Sequence, residues 1–327
     1  MTINEKIIGV IMAAGKGTRM DPFSYNTPKS LLPILNIPLI VHHINALKAI
    51  GIDEIVIVVG HLSFEIARRI GDGSSFGITI NYVEQKENLG IAHAVGQLEP
   101  IIHSKFLLIL GDIFFITKDF TRMVEIMKEN ASSAVLAVVN EQDPEAVKRN
   151  FAVLLGNNGK VKRVIEKPRY VASRLKGCGI YLFDQHIFDA IRRTPRTAMR
   201  NEYELTDAIQ ILIEDGFSVD IAEIIEADIN LTYSHDLLRC NLEQLKRISC
   251  DKFIGENVII GGAKIERCVV GDNVIIKYPI TIKNSVIFPN STIETDVDIS
   301  YCIVTPERII DLRSYFNNIG KGSYHDV

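Results

Sequence analysis

From residue 6 to about 140, short apolar runs rich in β-branched residues alternate with amphipathic stretches, which predicts βαβ units around a parallel sheet. The runs at 7–12, 55–59, 78–83, 106–110 and 134–139 are almost continuously hydrophobic, as strands covered on both faces must be. Phe120, Met123, Val124 and Met127 recur at helical spacing and make one apolar stripe, so the intervening segments are helices and these side chains core. Residues 152–167 read as a hairpin around Asn157-Asn158-Gly159, and 179–183 as a further strand. Two helices follow, the second with Ile209, Leu212 and Ile213 on one face, and a long one over 234–248 carries Leu238, Leu242 and Leu245.

After about residue 250 the helical period stops and a new repeat begins. Ile254-Gly255-Glu256-Asn257-Val258, Val270-Gly271-Asp272-Asn273-Val274 and Ile287-Phe288-Pro289-Asn290-Ser291-Thr292 recur at spacings of 16 and 17, with Gly261-Gly262 between the first two. Such a pattern is that of hexapeptide coils in a parallel β-helix, whose aliphatics are buried only by stacking coil on coil. Recurrence this regular disfavours an ordinary β-sandwich tail. With about three coils the stack is near the minimum for stability. Its last coil therefore needs a cap, for which 306–327 are available, or a partner subunit. Two domains are expected, 1–249 and 250–327.

Composition narrows the partners. A formal charge of −4 over 327 residues, with 36 basic and 40 acidic side chains, offers no polyanion-binding surface, so no nucleic-acid partner is expected. No apolar run approaches the roughly 20 residues that cross a bilayer, and no membrane partner is expected. The stretch 7–14 runs into a glycine-rich loop and reads as a buried strand, not a leader. Five cysteines, an odd number without a Cys-x-x-Cys pair, suit free thiols in a reducing, cytoplasmic setting.

The densest chemistry follows the first strand: Ala13-Ala14-Gly15-Lys16-Gly17-Thr18-Arg19, then Thr27-Pro28-Lys29. Glycines at a strand's carboxyl end let backbone N–H groups approach phosphate oxygens. The loop lacks both Gly-x-Gly-x-x-Gly and the Gly-Lys-Ser/Thr ending; instead Arg19 and Lys29 supply a bidentate and a point charge. Asp112 ends the run 106–110, at the rim of a parallel sheet where ligands gather. Lys167 sits between Glu166 and the rigid Pro168, placed to counter an anionic phosphate.

Taken whole, these motifs resemble the nucleotidyltransferase family that makes nucleotide sugars. Val83-Glu84-Gln85 with Leu89-Gly90 is similar to its base-recognition segment, Leu110-Gly111-Asp112 to its metal-binding turn, and Glu166-Lys167-Pro168 to its sugar-phosphate motif. Glu204-Leu205-Thr206-Asp207 and Ala227-Asp228 follow in the family's order. The best match is to glucose-1-phosphate thymidylyltransferases of the long type. The resemblance implies a Rossmann-like α/β domain with a mixed, mainly parallel sheet, followed by a short left-handed β-helix. It also implies Mg²⁺ on Asp112 and Asp228, a nucleotide held by Ala14, Gly15, Lys16, Gly17, Thr18, Gln85 and Gly90, and a sugar phosphate near Ala152, Glu166, Lys167 and Gly179. Arg19, Lys29, Asp112 and Asp228 would carry catalysis.

Departures from the pattern are Ala14 and Ala152 where relatives commonly have glycine, Ile113 after Asp112, and Ala227-Asp228-Ile229-Asn230-Leu231 in place of Trp-x-Asp-x-Gly-Thr. The expected reaction joins dTTP or UTP to a hexose 1-phosphate in a homo-oligomeric enzyme. Gln85 offers the donor and acceptor that suit a uracil or thymine edge. The competing reading is a non-catalytic nucleotide-sugar-binding subunit, which the retained Arg19, Lys29, Asp112, Lys167 and Asp228 disfavour. No histidine lies between His235 and His325, so the repeat lacks the base that a hexapeptide acyltransferase would use.

Overall fold

The computed structural model describes residues 6–198 and 201–319. They cluster into two compact units. The first holds Met1–Gly17, Asn26–Ser30 and Ile40–Ile229, and the second Thr18–Tyr25, Leu31–Leu39 and Asn230–Val327. The division expected at 249/250 falls inside the second unit, which also takes the helix Ser234–Arg247 and two short segments from near the N-terminus.

The first unit is built on a nine-stranded sheet. Its main path runs Val161–Glu166, Phe151–Leu155, Leu175–Phe183, Lys105–Leu110, Ile7–Ala13, Glu54–Val59, Thr79–Glu84. The last four are mutually parallel; the inner three are nearly fully buried, which is why their sequences are continuous apolar runs, whereas the edge strand Thr79–Glu84 buries only Ile80 and alternates with polar residues. The run beginning at Ala134, expected among the parallel strands, instead pairs antiparallel to Leu175–Phe183 as Ala134–Asn140, with Val219–Ala222 parallel on its far side. The hairpin at Asn157 is present between Phe151–Leu155 and Val161–Glu166. A strand that hydrophobicity did not separate, Ile113–Thr117, pairs with Ile225–Asn230 beside the main sheet. Phe106, Phe183 and Phe188 stack at the centre of the core, each worth about 1.5–3 kcal/mol of burial.

From Ile7–Ala13 the chain crosses first to Glu54–Val59 and then outward to Thr79–Glu84, before returning to Lys105–Leu110 on the opposite side. The carboxyl ends of Ile7–Ala13 and Lys105–Leu110 thus form the switch point of the sheet. The register pairs Met12 with Leu110 and brings Gly111-Asp112 level with the glycine loop.

The second unit is a left-handed parallel β-helix. Phe253, Val269, Val286 and Ile303 stand in register on one side, Ile265, Ile282 and Ile299 on a second, and Ile259, Ile275 and Thr292 on the third. Ile265, Val270, Ile276, Ile282, Ile287, Ile293 and Val304 fill the interior. Ile309–Asp311 turns back antiparallel on Cys302–Val304, and the helix Arg313–Ile319 sets Phe316 against Tyr301, centroids 5.0 Å apart. The cap expected from 306–327 is therefore formed up to 319; 320–327 lie outside the described residues.

Candidate active site

Ala14 leaves the first strand half-buried, and Gly15 and Lys16 are exposed beyond it. Gly17 has φ +67°, and a Cβ there would sit 2.9 Å from Lys29 Cγ, so only glycine lets the lysine stem lie across the loop. Lys29, 12% exposed, then reaches Asp112, its Nζ 3.7 Å from Oδ2, while Asp112 itself is half-exposed. Gly111 N–H donates to Met12 O at 2.9 Å, which pins the aspartate beside the first strand. Gly17, Lys29 and Asp112, far apart in sequence, thus converge at the switch point. Thr18 and Arg19 lie in the short helical turn Thr18–Met20, exposed, in the second unit.

Gln85 continues the fourth parallel strand, its N–H donating to Val59 O at 2.7 Å. Its Nε2 is buried with no hydrogen-bond partner among the described residues, a donor kept for something else. Gly90 is held by reciprocal backbone bonds, Tyr203 N–H to Leu89 O at 2.7 Å and Ala92 N–H to Tyr203 O at 3.0 Å.

The strands after Asn150 carry the remaining candidates. Ala152 pairs with Ile165 on one side and Lys176 on the other. Glu166 Oε2 accepts from Thr206 Oγ1 at 3.4 Å, and Lys167, with backbone φ +42°, holds Nζ 3.9 Å from Glu166 Oε1. Burial, and then the charge of Glu166, push the Tyr181 phenol well above its ordinary value. Burial likewise raises Asp207, next in the same motif. Gly179, φ +67°, leaves no space for a Cβ between Ile113 and Leu110, and so brings its strand against the Asp112 turn.

Asp228 has a partner that sequence reasoning did not single out. Lys176 Nζ donates to Asp228 Oδ1 at 2.8 Å and lies 3.3 Å from Glu141 Oε2; Lys176 and Asp228 are each 5% exposed. Burial opposes the ammonium, but Asp228, Cys178 and Glu141 more than offset it and hold Lys176 above the usual lysine value. The available signal was a lysine inside an otherwise apolar strand, Leu175–Phe183. His43 is buried, contacts Ile113 O through Nε2 at 2.8 Å and stacks on Phe115; desolvation lowers its pKa to about 4. Among the described residues no group of three or more His, Cys, Asp or Glu could hold a metal, and no helix is long and apolar enough to cross a membrane.

A glycine loop at a sheet switch point, a lysine laid over it and a carboxylate facing that lysine define a phosphate-handling α/β protein, here joined to a hexapeptide β-helix. The chain belongs to the nucleotidyl transferase family, which matches residues 8–224; residues 240–321 match the GlmU-like C-terminal hexapeptide family. It is 30% identical over 314 residues to a glucose-1-phosphate thymidylyltransferase of Streptomyces griseus, covering 92% of this chain and 84% of that protein. A low-salt glycan biosynthesis nucleotidyltransferase of Haloferax volcanii, Agl11, is 34% identical over 215 residues; the match spans 65% of this chain and 58% of the relative. In structure the chain resembles a Bacillus anthracis protein described as a glucose-1-phosphate thymidylyltransferase, solved with sucrose. The TM-score is 0.65 at 29% identity, over 72% of this chain and 94% of that one.

Proposed function

We propose that this protein transfers a nucleotidyl group from dTTP or UTP to a hexose 1-phosphate, glucose 1-phosphate first among them, and releases pyrophosphate. The observation that carries this reading is the convergence of Gly17, Lys29 and Asp112 at the switch point. An acceptor phosphate oxygen attacks the α-phosphorus, the new P–O bond forms, and the bond to the β-phosphate oxygen breaks with its electron pair leaving on pyrophosphate. No covalent enzyme intermediate is required, so the side chains work by positioning, which can supply about 7–11 kcal/mol. In this reading Gly15, Lys16, Gly17, Thr18 and Arg19 bind the triphosphate and Lys29 offsets charge on the reacting phosphates. The unpaired Nε2 of Gln85 reads the pyrimidine edge, with the Gly90 N–H also offered to the base. Glu166 accepts from sugar hydroxyls and Lys167 pairs with the incoming phosphate, while the buried Ala152 and Gly179 shape the strands behind the sugar.

A half-exposed Asp112 fits Mg²⁺, which takes one or two protein carboxylates and fills its shell with water and phosphate oxygens. Asp228 would add a second carboxylate, with Oδ1 shared by Lys176. Bound there, the ion would neutralise phosphate charge between the two substrates. Four buried free thiols and the exposed Cys250 suit a cytoplasmic setting, and the aliphatics Ile259 and Ile275 exposed on the β-helix suit a homo-oligomer.

Pyrophosphate release measured over a panel of nucleoside triphosphates and sugar 1-phosphates tests the reaction. Turnover with dTTP or UTP and glucose 1-phosphate is expected, and none with any pair would refute it. Gln85→Glu should reduce use of either pyrimidine nucleotide; an unchanged preference would remove Gln85 from base recognition.

A further inference from the structure

We propose that Lys176 is a positioning residue that keeps Asp228 closed to a divalent ion in the free protein, so that Asp228 takes the ion only together with the phosphates of the nucleotide. This rests on the reading of Asp228 as a metal carboxylate. Lys176, Asp228 and Glu141 all lie within the first unit.

The lysine is the only charged residue of Leu175–Phe183, and a lysine inside an apolar strand is costly unless a carboxylate answers it. Its main chain pairs with Val139 on one side and Ala152 on the other, so the ammonium can shift only through its own side chain. That ammonium donates to Asp228 Oδ1 at 2.8 Å, and each of the two side chains is 5% exposed. A buried pair of this kind is a poor device for stability, because apolar side chains of like volume often serve as well. Its seat on a candidate metal carboxylate gives it a second role.

Mg²⁺ gives up its water reluctantly. To reach Asp228 in the free protein, an ion would have to shed most of that water and meet a positive charge already held on the same carboxylate, where burial strengthens the repulsion. Asp112 is in a different position, since its lysine stands 3.7 Å away and its own side chain is half in water. The third member of the cluster allows the pair to open. Lys176 Nζ is also 3.3 Å from Glu141 Oε2, a carboxylate a quarter exposed. When Asp228 turns to an ion, the ammonium keeps Glu141, and no buried charge is left uncompensated. The anionic triphosphate supplies the attraction that the free protein lacks.

The test uses the full chain with Mn²⁺ as probe, followed by electron paramagnetic resonance and calorimetry. Without nucleotide, Lys176→Met should tighten Mn²⁺ binding about 10-fold or more, and Lys176→Arg, which keeps the cation, should leave it at the wild-type value. Asp228→Asn should leave Mn²⁺ binding to the free protein unchanged, yet weaken binding of the preformed Mn²⁺ complex of dTTP about 10–100-fold. Wild-type Mn²⁺ affinity in a folded Lys176→Met variant overturns the inference and leaves the pair purely structural, as does equal tightening in Lys176→Arg. Should Lys176→Met not fold, a loss of nucleotide-free Mn²⁺ binding in Asp228→Asn overturns it equally, because the carboxylate would then already be open. An Asp228→Asn variant that matches the wild type in both measurements would refute the reading of Asp228 as a metal carboxylate, and this inference with it.

Discussion

In the α/β unit the loops at the strand ends follow no repeat, whereas in the β-helix the same corner returns every 16 or 17 residues. Asn257, Asn273 and Asn290 hold φ of 54°, 56° and 61° and bond side chain to side chain at 3.2 and 3.1 Å. Arg267, Asn284 and Tyr301 make a second such column at 48°, 46° and 50°. Repetition spreads stability over equivalent neighbours. Chemistry needs the opposite, one lysine facing one aspartate, and Lys29 with Asp112 occurs once. The contrast implies that substitutions around the glycine loop and the sheet should divide sharply into kinetic and structural effects, and those in the β-helix coils should be small and structural.

The largest test is Asp112→Asn, which should lower turnover about a thousandfold with an unchanged melting temperature, read by pyrophosphate release and thermal denaturation. Retained turnover would dissolve the contrast at its sharpest point. Next is Lys176→Met, which strands Asp228 as an uncompensated buried charge beside the partly exposed Glu141 and should cost about 3–5 kcal/mol in urea unfolding. Adding Asp228→Asn should recover part of that loss; if it does not, the pair is not the source.

His43 gives a pH-dependent version. Its folded pKa of about 4 lies below the ordinary 6.5, so the unfolded chain takes up a proton first as pH falls. The stability held above pH 6.5 should decline by up to about 3 kcal/mol as pH falls to 4. His43→Gln should flatten that part of the profile, and an unaltered slope would exclude His43 as its cause. The smallest effect belongs to the repeat. Asn273→Ala removes two rungs of the ladder and a residue tolerant of positive φ, and should cost about 1–2 kcal/mol without altering KM or turnover.

Much of this was legible because local periodicity encodes it. The four parallel strands, the hairpin at Asn157 and the hexapeptide coils appear as repeating apolar positions, and the glycine loop announces itself by composition. What was not legible depends on partners distant in sequence. Ile113–Thr117 cannot be recognised as a separate strand until Ile225–Asn230 pairs with it. Lys176 reads as a stray charge until Asp228, 52 residues on, arrives to neutralise it. Nothing near Phe23 or Asn36 announces membership of a unit whose other members begin at Asn230.

The pairing of Asn36 with Asp272, 236 residues apart, also bears on the order in which the protein matures. Synthesis proceeds from the N-terminus at about 5–20 residues per second, so roughly 10–50 s separate the emergence of Phe23 from that of Phe288, on whose ring it stacks with centroids 5.4 Å apart. The parallel strands of the first unit can assemble on the ribosome during that interval, but the segment bearing Arg19 has no ring to stack on. Nascent chains stalled before residue 272 should therefore remain open to protease within 18–39 after the sheet has become resistant, and protection should follow once the third coil emerges. The glycine loop is among the first parts made, and the segment that continues it is among the last to be secured.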